Sequence, residues 1–171
     1  MISKKEIGTI KGLTLPEIRE YFVSQGEPSF RAEQVFKWMY GDMVDDFDKM
    51  NNLPKPLRTR LSESFSINTL SYSTDEISPS TRTKKYIFKT NEGYKIESVV
   101  IPEIKRTTLC ISTQVGCPLD CKFCATGLMG YKKNLTSGEI FDQFKLASKD
   151  YQESEITNIV YMGMGEPLLN F

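Results

Sequence analysis

All four cysteines of the chain lie in one stretch, from Cys110 to Cys124, and three of them, Cys117, Cys121 and Cys124, stand four and three residues apart. Ligands this close in sequence can converge on one soft metal centre with little loop-closure entropy to overcome. The chain has no histidine. That excludes mixed cysteine/histidine zinc sites and every nucleophile arrangement that relies on an imidazole base. A disulfide framework fits poorly, because the cysteines are clustered, no apolar signal segment is present, and 171 residues can bury a core without staples. A reducing cytoplasm suits this cysteine usage best. Two metal readings stay open. A structural zinc site would recruit Cys110 as fourth ligand, yet such sites usually take their ligands as two close pairs, and Cys110 sits seven residues upstream in a strand-like run. An iron-sulfur cluster on three thiolates, with one iron left for another ligand, suits the compact triplet better.

The chain in front of this loop reads as a small helical module over residues 1–66. Met1 to Lys11 is a polar lead expected to fray. Thr14 can cap a helix with Ile18, Tyr21 and Phe22 on one face and Gly26 as its stop. Ser29 caps a second helix carrying Phe30, Val35, Phe36, Met39 and Tyr40, ended by Gly41. Pro54 and Pro56 open a third with Leu57, Leu61 and Phe65. Ten basic residues face nine acidic ones between Met1 and Arg60, so charge alone decides nothing between an accessory packing role and a nucleic-acid handle.

Residues 67–105 change to period two. Lys84, Tyr86 and Phe88, then Tyr94, Ile96, Ser98 and Val100, alternate around Asn91-Glu92-Gly93, which predicts a hairpin. Glu97 falls on the face opposite Ile96, either as part of a solvated strand face or as an acid or base near the cysteine loop. From residue 106 onward, a strand over Thr107 to Ser112 leads into that loop. Thr136 and Glu139 form a capping box for a helix reaching about Lys149, and Ile156 to Met162 reads as a second strand ending in Gly163-Met164-Gly165-Glu166-Pro167. Strand, loop, helix, strand is a parallel crossover, so both loops are expected at the carboxyl end of one sheet, where α/β folds bind ligands. Between Pro79 and Lys133 ten basic residues stand against four acidic ones, either as a solvated face or as an attraction for a polyanion such as RNA. The sequence contains no apolar run long enough to cross a membrane.

The triplet followed by Ala125-Thr126-Gly127 resembles the signature of the radical S-adenosylmethionine superfamily. The longer run Val115-Gly116-Cys117-Pro118-Leu119-Asp120-Cys121-Lys122-Phe123-Cys124 goes further. With Cys110 before it and Met162-Gly163-Met164-Gly165-Glu166-Pro167-Leu168-Leu169-Asn170 after it, it resembles the RlmN/Cfr family of RNA adenine methyltransferases, the RlmN branch most closely. The resemblance extends over nearly the whole chain. It implies a 4Fe-4S cluster on Cys117, Cys121 and Cys124, with S-adenosylmethionine chelated to the open iron and contacted by Gly165 and Glu166. It also implies Glu97 as proton acceptor and Cys110 as the thiol that releases the methylated RNA from a cysteine-linked intermediate.

Carbon 2 of adenine is an electrophilic amidine carbon, so attack on a methyl sulfonium is closed to it. The family route therefore runs through a methylated cysteine and a radical, with the cofactor carrying the hard step. Ribosomal RNA, and transfer RNA as a second substrate, an external one-electron reductant, a monomeric state and a disulfide bond are implied in the same way. A carbon-8 target and a non-catalytic iron-sulfur or zinc module are the alternatives. The fold class implied is α/β: the helical module, then the first strands and helix of a partial (β/α) barrel. The family's methyl-carrying cysteine has no counterpart here, so the chain reads as the truncated front of a longer enzyme, inactive by itself.

Overall fold

The structure, a computed structural model, describes residues 8–119 and 121–171, so the polar lead up to Ile7 and the acidic Asp120 lie outside the described residues. The chain divides into two units, Met1–Thr69 and Leu70–Phe171.

In the first unit, helices α1 (Leu15–Ser24), α2 (Phe30–Tyr40) and α3 (Lys55–Ser64) bury Ile18, Phe22, Val35, Met39, Leu57 and Leu61 against one another. The 3.6-residue spacing of these side chains is what commits the segments to helix. The capping box of α1 is complete: the Glu17 carboxylate accepts from the Thr14 backbone N–H at 2.7 Å, and the Thr14 hydroxyl accepts from the Glu17 N–H at 3.4 Å. Three expectations need correction. The lead does not fray to Lys11, because strand β1 (Gly8–Thr9) pairs in parallel with β2 (Phe65–Ser66), and Ile10 and Lys11 are fully buried. Phe65 therefore leaves α3 for an extended conformation, with its ring edge-on to Tyr21. Ser29 makes no side-chain cap bond and already has helical dihedrals, and Phe30 is half-exposed rather than in the core.

The second unit is built on a five-stranded sheet among the described residues, with strand order β3 (Leu70–Ile77), β4 (Lys84–Thr90), β5 (Lys95–Pro102), β6 (Thr107–Cys110), β9 (Asn158–Val160). The pairs are antiparallel except β6 with β9, which run in parallel as the crossover predicts. The expected hairpin is β4–β5, closed by the Thr90 N–H donating to the Tyr94 carbonyl at 2.8 Å. Helix α5 (Ser137–Asp150) has the capping box expected of Thr136 and Glu139. Ala147 of α5 shares one core with Tyr86, Phe88, Ile96, Val100 and Leu109. β3 was not legible beforehand. It is an edge strand with only Leu70 buried and a register irregularity between Tyr72 and Thr74, so neither face imposes a period.

The crowded basic stretch is less free than its composition suggests. Lys84 lies 2.9 Å from Asp75 and also pairs with Asp150, Lys133 bridges Glu92 and Glu139, and Arg82 pairs with Glu153. Most of these carboxylates lie outside the sequence window in which the charge was counted. Among the described residues, no helix is long and apolar enough to cross a membrane.

Candidate functional site

The cysteine loop is closed at its base before any ligand is considered. Short strand β7 (Gln114–Val115) pairs antiparallel with β8 (Lys133–Asn134), and the Lys132 N–H donates to the Val115 carbonyl at 2.9 Å. Gly116 turns the chain into the loop with φ of 74°, and a Cβ there would meet the Gly130 carbonyl oxygen at 1.8 Å. Only glycine permits that approach. Between these ties Cys117, Cys121 and Cys124 are part-exposed free thiols, and Cys110 is a fourth. No disulfide joins them, which corrects the bond implied by resemblance.

Cys124 precedes the single turn α4 (Ala125–Leu128). The Gly127 and Thr126 backbone N–H groups aim at its sulfur and hold its thiol below the usual cysteine value. Cys110 differs: burial pushes its thiol up, offset in part by the Met162 N–H. Among the described residues no three cysteine or carboxylate side chains are gathered into a ligating cluster. The donor set nonetheless suits a thiolate-held group: three thiols share one pre-closed loop, one is already shifted toward thiolate, and no imidazole competes.

The second loop lies directly against the stem of the first. β6 and β9 bring the two chain segments side by side, and backbone bonds continue past them. The Ile111 N–H donates to Val160 at 2.9 Å, Gly163 to Ile111 at 3.0 Å and Thr113 to Met164 at 2.9 Å. Gly165 has φ of 98°, and a Cβ there would sit 2.6 Å from Cβ of Gln114. The glycine thus serves the packing of loop on loop. Glu166 is half-buried, and its carboxylate accepts from the Leu168 N–H at 3.0 Å.

Glu97 and Cys110 share the sheet face that α5 does not cover. Ile96, Ser98 and Val100 turn to the core, Glu97 turns away, and Cys110 pairs with Val99 in the register. Glu97 is therefore a diagonal neighbour of Cys110. Its carboxylate is exposed, 4.0 Å from Lys85. A cleft of about 250 Å³ on this face is lined by Ile87, Lys95, Glu97, Ala125, Thr126, Met129 and Met164, so Glu97, the turn after Cys124 and the second loop open onto one space.

Sequence reasoning missed the residues that fasten these parts. The fully buried Gln143 of α5 accepts from the Ser112 N–H at 2.8 Å and the Ser98 hydroxyl at 2.8 Å, and donates to the Ser112 carbonyl at 2.9 Å. This side chain takes the place of a neighbouring strand at Ser112, which is why the regular strand stops at Cys110 instead of Ser112. The Ser112 hydroxyl donates to the Glu97 carbonyl at 2.6 Å and accepts from the Met164 N–H at 2.9 Å. Asn170 donates to the carbonyls of Thr113 and Leu135 at 2.8 and 2.9 Å. The available signal was polar residues where the pattern called for apolar ones.

Residues 9–67 match the family model described as the ribosomal RNA large subunit methyltransferase N-terminal domain. The dual-specificity RNA methyltransferase RlmN of Halorhodospira halophila is 46% identical over 160 residues, covering 94% of this chain and 44% of that protein. That of Pseudomonas fluorescens is 45% identical over 166 residues, covering 94% and 43%. A crystal structure of a radical SAM methyltransferase from Sphaerobacter thermophilus superposes with a TM-score of 0.84 at 40% identity, over 96% of this chain and 49% of the other. The chain thus spans under half the length of the curated relatives it matches. With a domain match at its front and this identity along nearly all of its length, the chain is similar to the amino-terminal portion of the RlmN-type radical S-adenosylmethionine methyltransferases.

Proposed function

We propose that the chain forms the part of a radical RNA methyltransferase that holds the cluster and one wall of the cofactor site, in an enzyme acting on carbon 2 of adenine in ribosomal and transfer RNA. The observation that carries this reading is the backbone fastening of the cysteine-loop stem to the Gly163-to-Pro167 loop at the carboxyl end of the parallel pair β6–β9. Cys117, Cys121 and Cys124 would hold a 4Fe-4S cluster, and Gly165 and Glu166 would contact S-adenosylmethionine. When bound, this pair supplies the one-electron chemistry that an electrophilic ring carbon requires.

The chain's own residues have narrower tasks. The Glu166 carboxylate can pair with an ammonium group. Glu97 offers a carboxylate to accept a proton, on the same face as the Cys110 thiol. Burial pushes the Cys110 thiol up, which favours its neutral form. Residues 1–66 form an RNA-handling module, 67–105 the hairpin connection and 106–171 the start of the catalytic core. An external reductant and a monomeric state complete the proposal.

The test is anaerobic reconstitution of the 171-residue chain with iron and sulfide, followed by metal analysis and electron paramagnetic resonance with and without S-adenosylmethionine. A cluster whose spectrum changes on adding the cofactor supports the reading. One tightly held zinc, with no iron and no visible absorption, overturns it.

A further inference from the structure

We propose that Gln114 is a positioning residue for Glu166, setting the main chain of the second loop against the stem of the cysteine loop. The proposal rests on the assignment of the second loop to the cofactor. Gln114 is 1% exposed, and both ends of its amide are used. Its Oε1 accepts from the Glu166 N–H at 2.9 Å, and its Nε2 donates to Oδ1 of Asn134 at 2.9 Å. Asn134 belongs to β8, the strand that closes the cysteine loop on its far side. One side chain therefore ties the two ends of the cysteine loop to the residue that follows Gly165.

The arrangement has a second rung. Ser112, two residues earlier, accepts from the Met164 N–H through its hydroxyl at 2.9 Å. Residues 112 and 114 flank the bend at Thr113, and each receives one N–H from alternate residues of the second loop. The Thr113 and Gln114 N–H groups return bonds to the Met164 carbonyl at 2.9 and 3.2 Å. Side chains thus supplement the backbone bonds where the two loops meet. Gly165 is the gap that lets Gln114 fit, since a Cβ there would collide with it. A shift of Gln114 moves Glu166 relative to the thiols, whereas a shift of Ser112 moves Met164.

The first measurement needs no cofactor. Amide hydrogen exchange resolved by nuclear magnetic resonance on the full chain is expected to show the Glu166 and Met164 amides protected. In Gln114→Leu the Glu166 amide should exchange about tenfold faster, the loss of one hydrogen bond, with Met164 and the α5 amides unchanged. Gln114→Glu keeps the acceptor oxygen and should restore protection at Glu166. An unprotected Glu166 amide in the unaltered chain, or equal exchange in Gln114→Leu, overturns the proposal even if other variants fail to fold. The second measurement is calorimetric titration of the reconstituted chain with S-adenosylmethionine. Gln114→Leu should weaken binding about tenfold at unchanged iron content. Unchanged affinity overturns the positioning role. If the unaltered chain takes up no iron while the exchange pattern holds, the cofactor assignment fails and the fastening of Glu166 by Gln114 stands.

Discussion

Cys110 stands on a strand and Cys117, Cys121 and Cys124 in a loop, and the difference is testable one residue at a time. Cys117→Ala, Cys121→Ala and Cys124→Ala should each abolish iron uptake after reconstitution, because a cluster held by three thiolates has none to spare. Cys110→Ala should leave iron content and visible absorption unchanged, since its sulfur sits on a strand face beside the Met162 N–H rather than in the loop. Equal loss in all four variants would make Cys110 a ligand and restore the four-cysteine site. Gly165→Ala should cost about 1–3 kcal/mol in urea unfolding, as overpacking against a buried partner does. The added methyl meets Gln114 at 2.6 Å in a backbone conformation that only glycine adopts easily. Of these residues, spacing singles out the triplet and strand alternation puts Glu97 on the face opposite Ile96, both local properties of the chain. Ser112, Gln114 and Gln143 were not legible in this way. Their partners in other segments lie between 15 and 52 positions away, and nothing local in a polar side chain says where its hydrogen bond will end.

The elements that could be read in advance are those whose local signals agree. Thr136 with Glu139 announces the start of α5, and the apolar spacing behind it requires a helix. Thr136→Ala should destabilise the chain by about 1 kcal/mol, the usual worth of an N-cap, measured as a shift in the denaturant midpoint at constant slope. Edge strand β3 and the short pair β1–β2 escaped because a strand with one partner and a wet face carries no periodic signature.

The tip of the β4–β5 hairpin is held by a charge rather than by packing. Glu92 reaches Lys133 at 2.7 Å, and Lys133 continues to Glu139 at 3.0 Å. The Lys133 ammonium holds the Glu92 carboxyl below its ordinary value. Burial pulls Lys133 down, but Glu92 and Glu139 outweigh it and raise the ammonium above the usual lysine value. A depressed carboxylate stabilises the fold above its unfolded value and loses that contribution as pH falls through the folded one. A raised lysine contributes below its unfolded value and loses it as pH rises through the folded one. The tether is therefore complete between the ordinary carboxylate and lysine ranges. Amide exchange at Glu92 and Gly93 should accelerate, beyond the intrinsic pH effect, as pH drops below the carboxylate range. Glu92→Gln should remove that step. The effect on global stability stays at the small scale of a half-exposed ion pair, about 0–1 kcal/mol.

At the scale of the whole molecule, the cysteine inventory sets an expectation for this chain by itself. If three thiols hold a cluster, one remains, and the route implied by the family needs one thiol to carry the methyl group and another to release the product. Incubation of the reconstituted chain with unmodified ribosomal RNA and S-adenosylmethionine, followed by nucleoside mass analysis, should give no 2-methyladenosine. Catalytic amounts would overturn the assignment of Cys110 and the triplet together. The tied base of the cysteine loop has a consequence for biogenesis. Where a metal organises its own domain, the polypeptide waits for the ion before it can fold. Here the pairing of β7 with β8 and the turn at Gly116 join the loop ends through the backbone itself. The fold is therefore expected to stand before the centre is inserted. The mark of that order is a melting temperature that falls by only a few degrees when the reconstituted centre is stripped with a chelator, against complete unfolding if the centre were the organiser.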